Sequence, residues 1–209
     1  MTHYKVFEND DDWKQFRAGL FTASEIYRLM TEPKKKDEVL SVGAKTYITE
    51  KVAELIAPLE PSYYNSAMEH GNEKEPMAVL RIAQEIGKNI DDDDFIYTSS
   101  GGWVFFYDDE LDLGGTPDVI IKNQMICEVK APLSKTHLTY LMLETPEDVL
   151  REVPQYYGQM QLNMLLTGTD QCLFVSFDDR FYNPEHHYHS VMIPKNEAYL
   201  ERLKIKAKH

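Results

Sequence analysis

Apolar residues in the first half of the chain recur at the three-to-four-residue spacing of amphipathic helices. Residues 41–57 show this spacing clearly and stop before a proline, which predicts one uninterrupted helix. Residues 66–86 predict a longer helix, kinked or restarted at Pro76. Two short helices are predicted before these, over residues 13–19 and, opened by a capping box, over residues 22–29.

Short apolar runs bounded by turn residues predict strands in the second half of the chain. One hairpin is predicted over residues 95–107, around a Ser-Ser-Gly-Gly turn, and another over residues 119–127. Further strands are predicted over residues 172–177 and 189–193, and helices over residues 134–143, 153–166 and 197–205. Helices around a central run of strands predict an α/β or α+β fold, with a mixed sheet flanked by helices. No linker divides the chain, so a single domain over residues 1–209 is expected.

The composition is that of a folded, acidic protein. The chain has 209 residues, of which 43% are hydrophobic, enough to build a core and to argue against disorder. Lys and Arg number 22 against 35 Asp and Glu, a formal net charge of −13. Nucleic-acid binders usually carry a basic surface, so this balance alone favours an ordinary acidic enzyme.

Neither export nor membrane insertion is expected. The sequence has no apolar run of about 18 residues, the length of a membrane-spanning helix. The first residues lack the apolar core of a signal peptide. Two cysteines, Cys127 and Cys172, do not make a disulfide framework and are too few for a four-cysteine iron–sulfur cluster. A reducing, cytoplasmic setting is therefore expected.

The second predicted hairpin carries residues suited to catalysis. Asp118 opens its first strand, and Glu128 and Lys130 end its second. Antiparallel pairing returns the chain to its starting point, so the two carboxylates can converge, and residues two apart share one face of a strand. The carboxylates and the Val129 carbonyl are hard oxygen ligands that suit Mg²⁺ or Mn²⁺. Lys130 would orient or deprotonate a water, or stabilise a pentavalent phosphorus.

Such a pattern also arises by chance, because Asp, Glu and Lys are common residues. Its context nevertheless favours a site. A Pro-Asp pair opens the first strand, and charged residues end an otherwise apolar second strand. A core strand that ends on charges is expected to face a cleft or a metal.

The motif Pro117-Asp118…Glu128-Val129-Lys130 resembles the signature of the PD-(D/E)xK nucleases. Three further blocks resemble those of exonucleases of the bacteriophage lambda type, the YqaJ-type viral recombinases. They are Arg17-Ala18-Gly19-Leu20-Phe21-Thr22-Ala23-Ser24, Gly71-Asn72-Glu73-Lys74-Glu75-Pro76 and Tyr156-Tyr157-Gly158-Gln159-Met160-Gln161. The blocks follow the family's order, so the resemblance is specific for the family, though not for one activity.

The resemblance implies a restriction-endonuclease-like PD-(D/E)xK core and a Mg²⁺-dependent exonuclease. Such an enzyme digests one strand of linear double-stranded DNA from 5′ to 3′ and releases mononucleotides. It leaves 3′-ended single-stranded DNA for recombination by strand annealing. Two Mg²⁺ ions, or Mn²⁺ as a substitute, would be held by Asp118, Glu128, Glu75 and the Val129 carbonyl. Lys130 would act on the nucleophilic water with help from Gln159.

Two of these residues also have plainer interpretations. Glu75 lies in a charged helical cluster of the kind that water normally solvates. It is preferred over Glu73 because it directly precedes Pro76, as in the family pattern. Gln159 lies in a helix with apolar partners, where its amide could bind the backbone for purely structural reasons.

A second group of residues is implied to grip the 5′-phosphate of the degraded strand. Arg17 offers a planar donor fork suited to phosphate, with a surface salt bridge as the alternative. Ser24 lies near a helix start, where backbone N–H groups favour anions, and is otherwise a plain cap. Thr116 stands where a family member has a serine that contacts the same phosphate. Tyr156, three residues before Gln159 on the same helix face, lines the site or packs in the core.

The family often forms a ring-shaped homotrimer around DNA and often acts with a single-strand annealing protein, so both are expected by resemblance. A phage or prophage origin in a bacterial host is expected as well. Two rival functions remain: a structure- or sequence-specific endonuclease on the same core, and a catalytically silent DNA-binding recombination protein. An intact Asp118, Glu128 and Lys130 argues against the silent form.

Two surface features complete the sequence-based interpretation. The histidines at 186, 187 and 189 lack the spacing of a zinc site and are assigned to a sheet edge or the surface. A net charge hides local fields, so a basic strip around Arg17, Lys130 and Lys135 is expected on an otherwise acidic surface.

Overall fold

Two mixed β-sheets organise the described part of the chain, residues 2–59, 66–99 and 103–209 of a computed structural model. The strands are β1 (Thr2–Phe7), β2 (Phe21–Thr22), β3 (Phe95–Tyr97), β4 (Trp103–Asp108), β5 (Leu113–Gly115), β6 (Val119–Ile121), β7 (Met125–Lys130), β8 (Gln171–Phe177) and β9 (Tyr188–Pro194). The helices are α1 (Asp10–Arg17), α2 (Ile26–Leu29), α3 (Val42–Ile56), α4 (Ser66–Glu85), α5 (Ser134–Tyr140), α6 (Pro146–Glu152), α7 (Pro154–Thr167) and α8 (Glu197–Lys208). The fold is therefore mixed α/β.

The two long helices of the first half form as their apolar spacing predicts. The Ser41 hydroxyl accepts a hydrogen bond from the Ala44 N–H, 2.9 Å away, and so caps the start of α3. Helix α4 runs through Pro76 without a restart. Gly87 follows it at φ 69°, the left-handed conformation that glycine adopts readily after a helix.

The capping box predicted at residues 22–25 is wrong. Residues Ala23–Glu25 form a 3₁₀ turn that leads into α2, and the Thr22 side chain makes no capping bond. The Thr22 N–H instead donates to the Tyr47 hydroxyl at 3.2 Å, while β2 pairs in parallel with β5. Tertiary contacts therefore fix this segment, and they override a local sequence signal.

The larger sheet has the strand order β3-β6-β7-β8-β9. Strands β6 and β7 form the hairpin predicted over residues 119–127, with Val119 opposite Cys127. Asn123, in the turn, adopts φ 60°, a conformation that asparagine tolerates better than most residues. Strand β8 pairs in parallel with β7, so α5, α6 and α7 form the crossover between them. This sheet carries the hairpin that the sequence singles out.

The hairpin predicted over residues 95–107 is wrong, although its two strands exist. Strand β3 pairs with β6 in the larger sheet. Strand β4 pairs with β1 and β5 in the smaller sheet, which has the order β1-β4-β5-β2. An apolar run specifies a strand but not its partner. Part of the predicted turn, residues 100–102, lies outside the described residues.

Helix α7 packs against both sheets, and its apolar side chains belong to the hydrophobic cores on either side of it. Met160 and Met164 pack with strands β7 to β9, whereas Leu162 and Leu166 pack with α2 and β5. At Gly115 in β5, an added Cβ would collide with the side chains of Asn163 and Ala23. The close approach of α7 to the smaller sheet therefore requires glycine at this position.

No helix in the described ranges is both long and apolar enough to cross a bilayer. Cys127 and Cys172 are buried free thiols.

Candidate active site

The β6–β7 hairpin places Asp118, Glu128 and Lys130 at one end of the larger sheet. The Asp118 N–H donates to the Cys127 carbonyl at 3.2 Å, which extends the ladder by one residue. The Asp118 carboxylate in turn accepts a hydrogen bond of 2.6 Å from the Val129 N–H. The Lys130 ammonium donates to Oε1 of Glu128. One short hairpin therefore joins two carboxylates and an ammonium group.

Glu128 is the most deeply buried charged residue of this cluster. Its residue exposure is 0%, and its Oε2 atom has no hydrogen-bond partner among the described residues. A buried carboxylate oxygen without a donor is costly, because nothing replaces its lost hydration. The donors in this hairpin reach only the other oxygen. The unmatched oxygen is the feature expected of a ligand for a cation.

Glu75 reaches the same cluster from α4. Its Oε1 atom accepts a 3.0 Å hydrogen bond from the Tyr97 hydroxyl, while Glu73 is exposed to solvent. The register of α4 therefore turns Glu75, and not Glu73, towards the hairpin. A groove of about 440 Å³ opens beside the cluster and is lined by Gly71, Asn72, Glu75, Val129, Lys130 and Tyr156, among others.

The carboxylates of the cluster hold protons more tightly than ordinary ones. Burial, with the nearby Asp118 carboxylate, raises the pKa of Glu75 to about 7 and that of Glu128 to about 8. Burial also raises the pKa of Asp118. Burial alone would lower the pKa of Lys130, but the Glu128 and Asp118 carboxylates outweigh it and raise that pKa. The site thus contains more acidic groups than its one lysine can neutralise.

The donors of this cluster fit a divalent cation that keeps part of its water shell. Within the described ranges, no three or more His, Cys, Asp or Glu side chains form a ready-made metal cage. Mg²⁺ does not need one, because it commonly takes one or two carboxylates and fills its other positions with water and phosphate oxygens. Asp118, Glu128, Glu75 and the Val129 carbonyl supply oxygen donors of the right kind.

A second, smaller pocket of about 190 Å³ contains the residues implied to grip a phosphate. Its lining includes Arg17, Ser24, Thr116 and Gln159. The Arg17 guanidinium lies 4.4 Å from the centre of the Trp13 ring. No described carboxylate lies within ion-pair distance of it, so the surface salt bridge considered from sequence is not formed. Burial lowers the pKa of Arg17, partly offset by Glu25.

The two hydroxyl groups of this pocket differ. Ser24 is exposed, and its side chain is no helix cap in the described structure. The Thr116 hydroxyl donates to the Val104 carbonyl at 2.8 Å. A phosphate would therefore meet a free hydroxyl at Ser24 but would have to compete for the proton of Thr116.

Helix α7 carries two glutamines with different surroundings. Gln161 is fully buried, donates to the Pro194 carbonyl at 2.9 Å and accepts from the Asn196 N–H at 2.7 Å. Gln159 is half-buried and lines the phosphate pocket. The sequence left open that the Gln159 amide binds the backbone for structural reasons. In the structure, Gln161 makes backbone bonds of this kind.

Tyr156 belongs to both the core and the site. Its ring stacks on Phe174, with centroids 6.1 Å apart, and the Lys130 ammonium lies 4.8 Å from its centre. It lines the larger groove and not the phosphate pocket. The core packing considered from sequence is therefore observed, and the site role of Tyr156 stays a prediction.

The basic strip expected around Arg17, Lys130 and Lys135 stays a prediction, and at Lys130 itself the surroundings are acidic. The Lys130 ammonium is paired with Glu128, and the Asp118 carboxylate is also close enough to raise the pKa of Lys130. The histidines at the far edge of the sheet are held by backbone: His187 donates to the Phe181 carbonyl and His189 to the Leu143 carbonyl.

Sequence reasoning missed Tyr97 and Thr98, the residues of β3 and its end that contact the cluster. The Thr98 hydroxyl donates to the Pro117 and Asp118 carbonyls, at 2.6 and 3.0 Å. Neither residue belongs to a recognisable motif. Only the pairing of β3 with β6 brings them to the site, and the sequence did not predict that pairing.

The fold and the placement of an acidic pair and a lysine on a sheet hairpin define a restriction-endonuclease-like core of the PD-(D/E)xK class. The chain belongs to the YqaJ-like viral recombinase domain family, which it matches over residues 12–170. A search of curated proteins found no match.

Solved structures share the fold. The chain is similar to an alkaline exonuclease (LHK-Exo) from Laribacter hongkongensis, with a TM-score of 0.69 and 24% identity over 95% of this chain and 89% of that one. The same enzyme has been solved in complex with dAMP. A phage-related exonuclease from Haemophilus somnus 129PT matches with a TM-score of 0.69 and 15% identity over 90% of each chain. At these identities the likeness establishes the fold.

In the metal-free protein, the free energy of unfolding should decrease as the pH rises from about 4.5 to about 8. Glu75 and Glu128 have an ordinary pKa of 4.5 when unfolded and pKa values of about 7 and about 8 when folded. The folded chain thus keeps protons that the unfolded chain loses, and stability falls across this window. Urea unfolding at a series of pH values measures the effect.

The Glu128→Gln variant is the control, because it removes one titrating group and should flatten the dependence. A free energy of unfolding that stays level or increases across the window would contradict proton-bearing carboxylates in this site.

Proposed function

We propose that this protein is a metal-dependent exonuclease that digests one strand of linear double-stranded DNA from its 5′-phosphate end. The observation that carries the proposal is the placement of two pockets along α7. Gln159 lines the pocket that contains Arg17, and Tyr156, three residues earlier, lines the groove beside Lys130. Residues three apart share one helix face, so the two pockets adjoin. A terminal phosphate in the first would bring the next phosphodiester to the second.

The smaller pocket supplies the recognition of the strand end. Arg17 is an arginine without a carboxylate partner in the described structure, and its planar fork matches two phosphate oxygens. Ser24 adds a hydroxyl donor, and Thr116 a second one if it gives up its bond to Val104. The pocket is small, which suits a terminal phosphate better than a continuous strand.

The larger groove supplies the hydrolysis. Asp118, Glu128, Glu75 and the Val129 carbonyl would hold Mg²⁺, in our proposal two ions, with Mn²⁺ able to substitute. Bound there, the metal would lower the pKa of a water and screen the charge of the phosphodiester. Lys130 keeps a positive charge beside the reacting phosphate and orients the attacking water. Gln159, which lines the smaller pocket about one helical turn from Tyr156, positions that water or the scissile phosphate.

Cleavage of the phosphodiester one nucleotide beyond the bound 5′-phosphate would release a mononucleotide. Repeated cleavage would leave the other strand as 3′-ended single-stranded DNA. The dAMP complex of LHK-Exo supports a mononucleotide product. We further propose a single domain, a homotrimer around DNA, an annealing protein as partner and a phage or prophage origin in bacterial cytoplasm. The viral recombinase family supports these four points by analogy.

The endonuclease alternative differs in its need for a strand end. An endonuclease does not require a small pocket beside the hydrolytic groove with an arginine that, among the described residues, has no carboxylate partner. That pocket favours the exonuclease, and the substrate test below separates the two.

The protein with Mg²⁺ should digest the 5′-phosphorylated strand of a linear duplex and spare a covalently closed circle. Lys130→Ala should slow digestion about 10²- to 10³-fold, the range typical for loss of a group that stabilises charge in the transition state. Gel analysis of end-labelled strands measures both results. Lys122→Ala is the matched control, because Lys122 lies in the turn at the other end of the same hairpin and bonds to the Asp93 carbonyl.

Cutting of the closed circle would replace the exonuclease with an endonuclease. Digestion by Lys130→Ala at the rate of Lys122→Ala would remove Lys130 from the mechanism.

Arg17→Ala should reduce the preference for 5′-phosphate over 5′-hydroxyl ends about 10- to 100-fold, because it removes a charge-assisted hydrogen bond to the terminal phosphate. Competition between the two substrates measures the preference. Arg28→Ala is the control, since Arg28 also lies over an aromatic ring but is paired with Glu25 and Glu50. An unchanged preference in Arg17→Ala would show that the smaller pocket does not hold the strand end.

A further inference from the structure

Two consecutive residues at the end of β3 contact two different acidic residues of the cluster, one through its backbone and one through its side chain. Thr98 holds the backbone of Asp118: its N–H donates to the Asp118 carbonyl at 3.1 Å, and its hydroxyl donates to the same carbonyl at 3.0 Å. Tyr97 holds the side chain of Glu75 through the 3.0 Å bond from its hydroxyl. Strand β3 thus links the residue from α4 to the residue from the hairpin.

The phenol of Tyr97 is the donor in this bond at neutral pH. A phenol hydroxyl has a proton to give in a hydrogen bond, and Oε1 of Glu75 accepts that bond over 3.0 Å. A carboxylate that receives this bond loses freedom about its side-chain torsions. Ligand carboxylates in metal sites are commonly oriented by such outer hydrogen bonds.

The bond is not needed to fasten α4 to the sheet. Val79 and Ile82 of α4 are already buried against Val119 and Val175 of the larger sheet. The hydrogen bond between Tyr97 and Glu75 lies outside this apolar interface, at the groove that Glu75 lines. A purely structural tie would not require a carboxylate facing the groove.

We propose that Tyr97 is a positioning residue that holds the Glu75 carboxylate in place for a divalent cation. The inference rests on the proposed function, because it takes the groove beside Lys130 as the cation site. The ring of Tyr97 packs against the core, and its hydroxyl orients the Glu75 carboxylate.

Calorimetric titration of the metal-free, full-length protein with Ca²⁺ tests this without relying on activity. Tyr97→Phe should weaken Ca²⁺ binding about 10-fold, the lower end of the range for loss of an outer-sphere partner. Tyr188→Phe is the matched control, because Tyr188 packs against the same core cluster and its ring contacts Arg81, which is not part of the proposed site. In a Glu75→Gln background, Tyr97→Phe should have no further effect, because it acts through that carboxylate.

Digestion assays give a second readout. Tyr97→Phe should raise the Mg²⁺ concentration needed for half the maximal rate and leave the rate at saturating Mg²⁺ unchanged, a split that a loss of packing would not produce. Wild-type Ca²⁺ affinity in Tyr97→Phe, with weakened binding in Glu75→Gln, would overturn the inference. So would wild-type affinity in Glu75→Gln, since Glu75 would then be no ligand. Failure of the proposed function shows separately, as an absence of digestion by the wild-type protein.

Discussion

The burial of the Glu128 carboxylate is the constraint on which the rest of this site depends. A carboxylate with no solvent contact needs compensation for its charge, and only Oε1 finds it, at Lys130. The Asp118 carboxylate, held by the Val129 N–H, adds a second negative charge nearby. A protein that served stability alone would gain from apolar residues here. In the proposed function, this reduced stability is the cost of a cluster that can bind a cation.

Helix α7 contributes a residue to each of the two pockets, Gln159 to the smaller one and Tyr156 to the larger groove. Its apolar residues pack on both sheets, so its polar face spans the junction between them. Gln161 is used to anchor the helix, and Gln159 is left to face the smaller pocket. Arg17, from a helix at the edge of the smaller sheet, and Lys130, from the larger sheet, are thereby brought to adjoining pockets. Neither sheet could form this arrangement alone.

Local patterns predicted the helices and the motif hairpin, because 41–57, 66–86 and 119–127 carry their own periodicity or turn signal. They did not predict β1, which is almost entirely exposed, or α6, which is too short to show a helical period. The partner of β3 depends on contacts far apart in sequence, so the roles of Tyr97 and Thr98 could not be predicted. The spacing of the hairpin predicted the cluster of Asp118, Glu128 and Lys130. Glu75 and the residues of the smaller pocket came from the family resemblance, and the placement of the two pockets along α7 came only from the fold.

The central claim, that this buried carboxylate cluster is a divalent-cation site, is tested most directly by the protons it releases. Calorimetric titration of the metal-free protein with Mn²⁺ near neutral pH, repeated in two buffers of different ionisation enthalpy, counts them. Because Glu75 and Glu128 have pKa values of about 7 and about 8, binding should release protons, and the heat should differ between the buffers. Binding that releases no protons, or an absence of binding, would contradict the account.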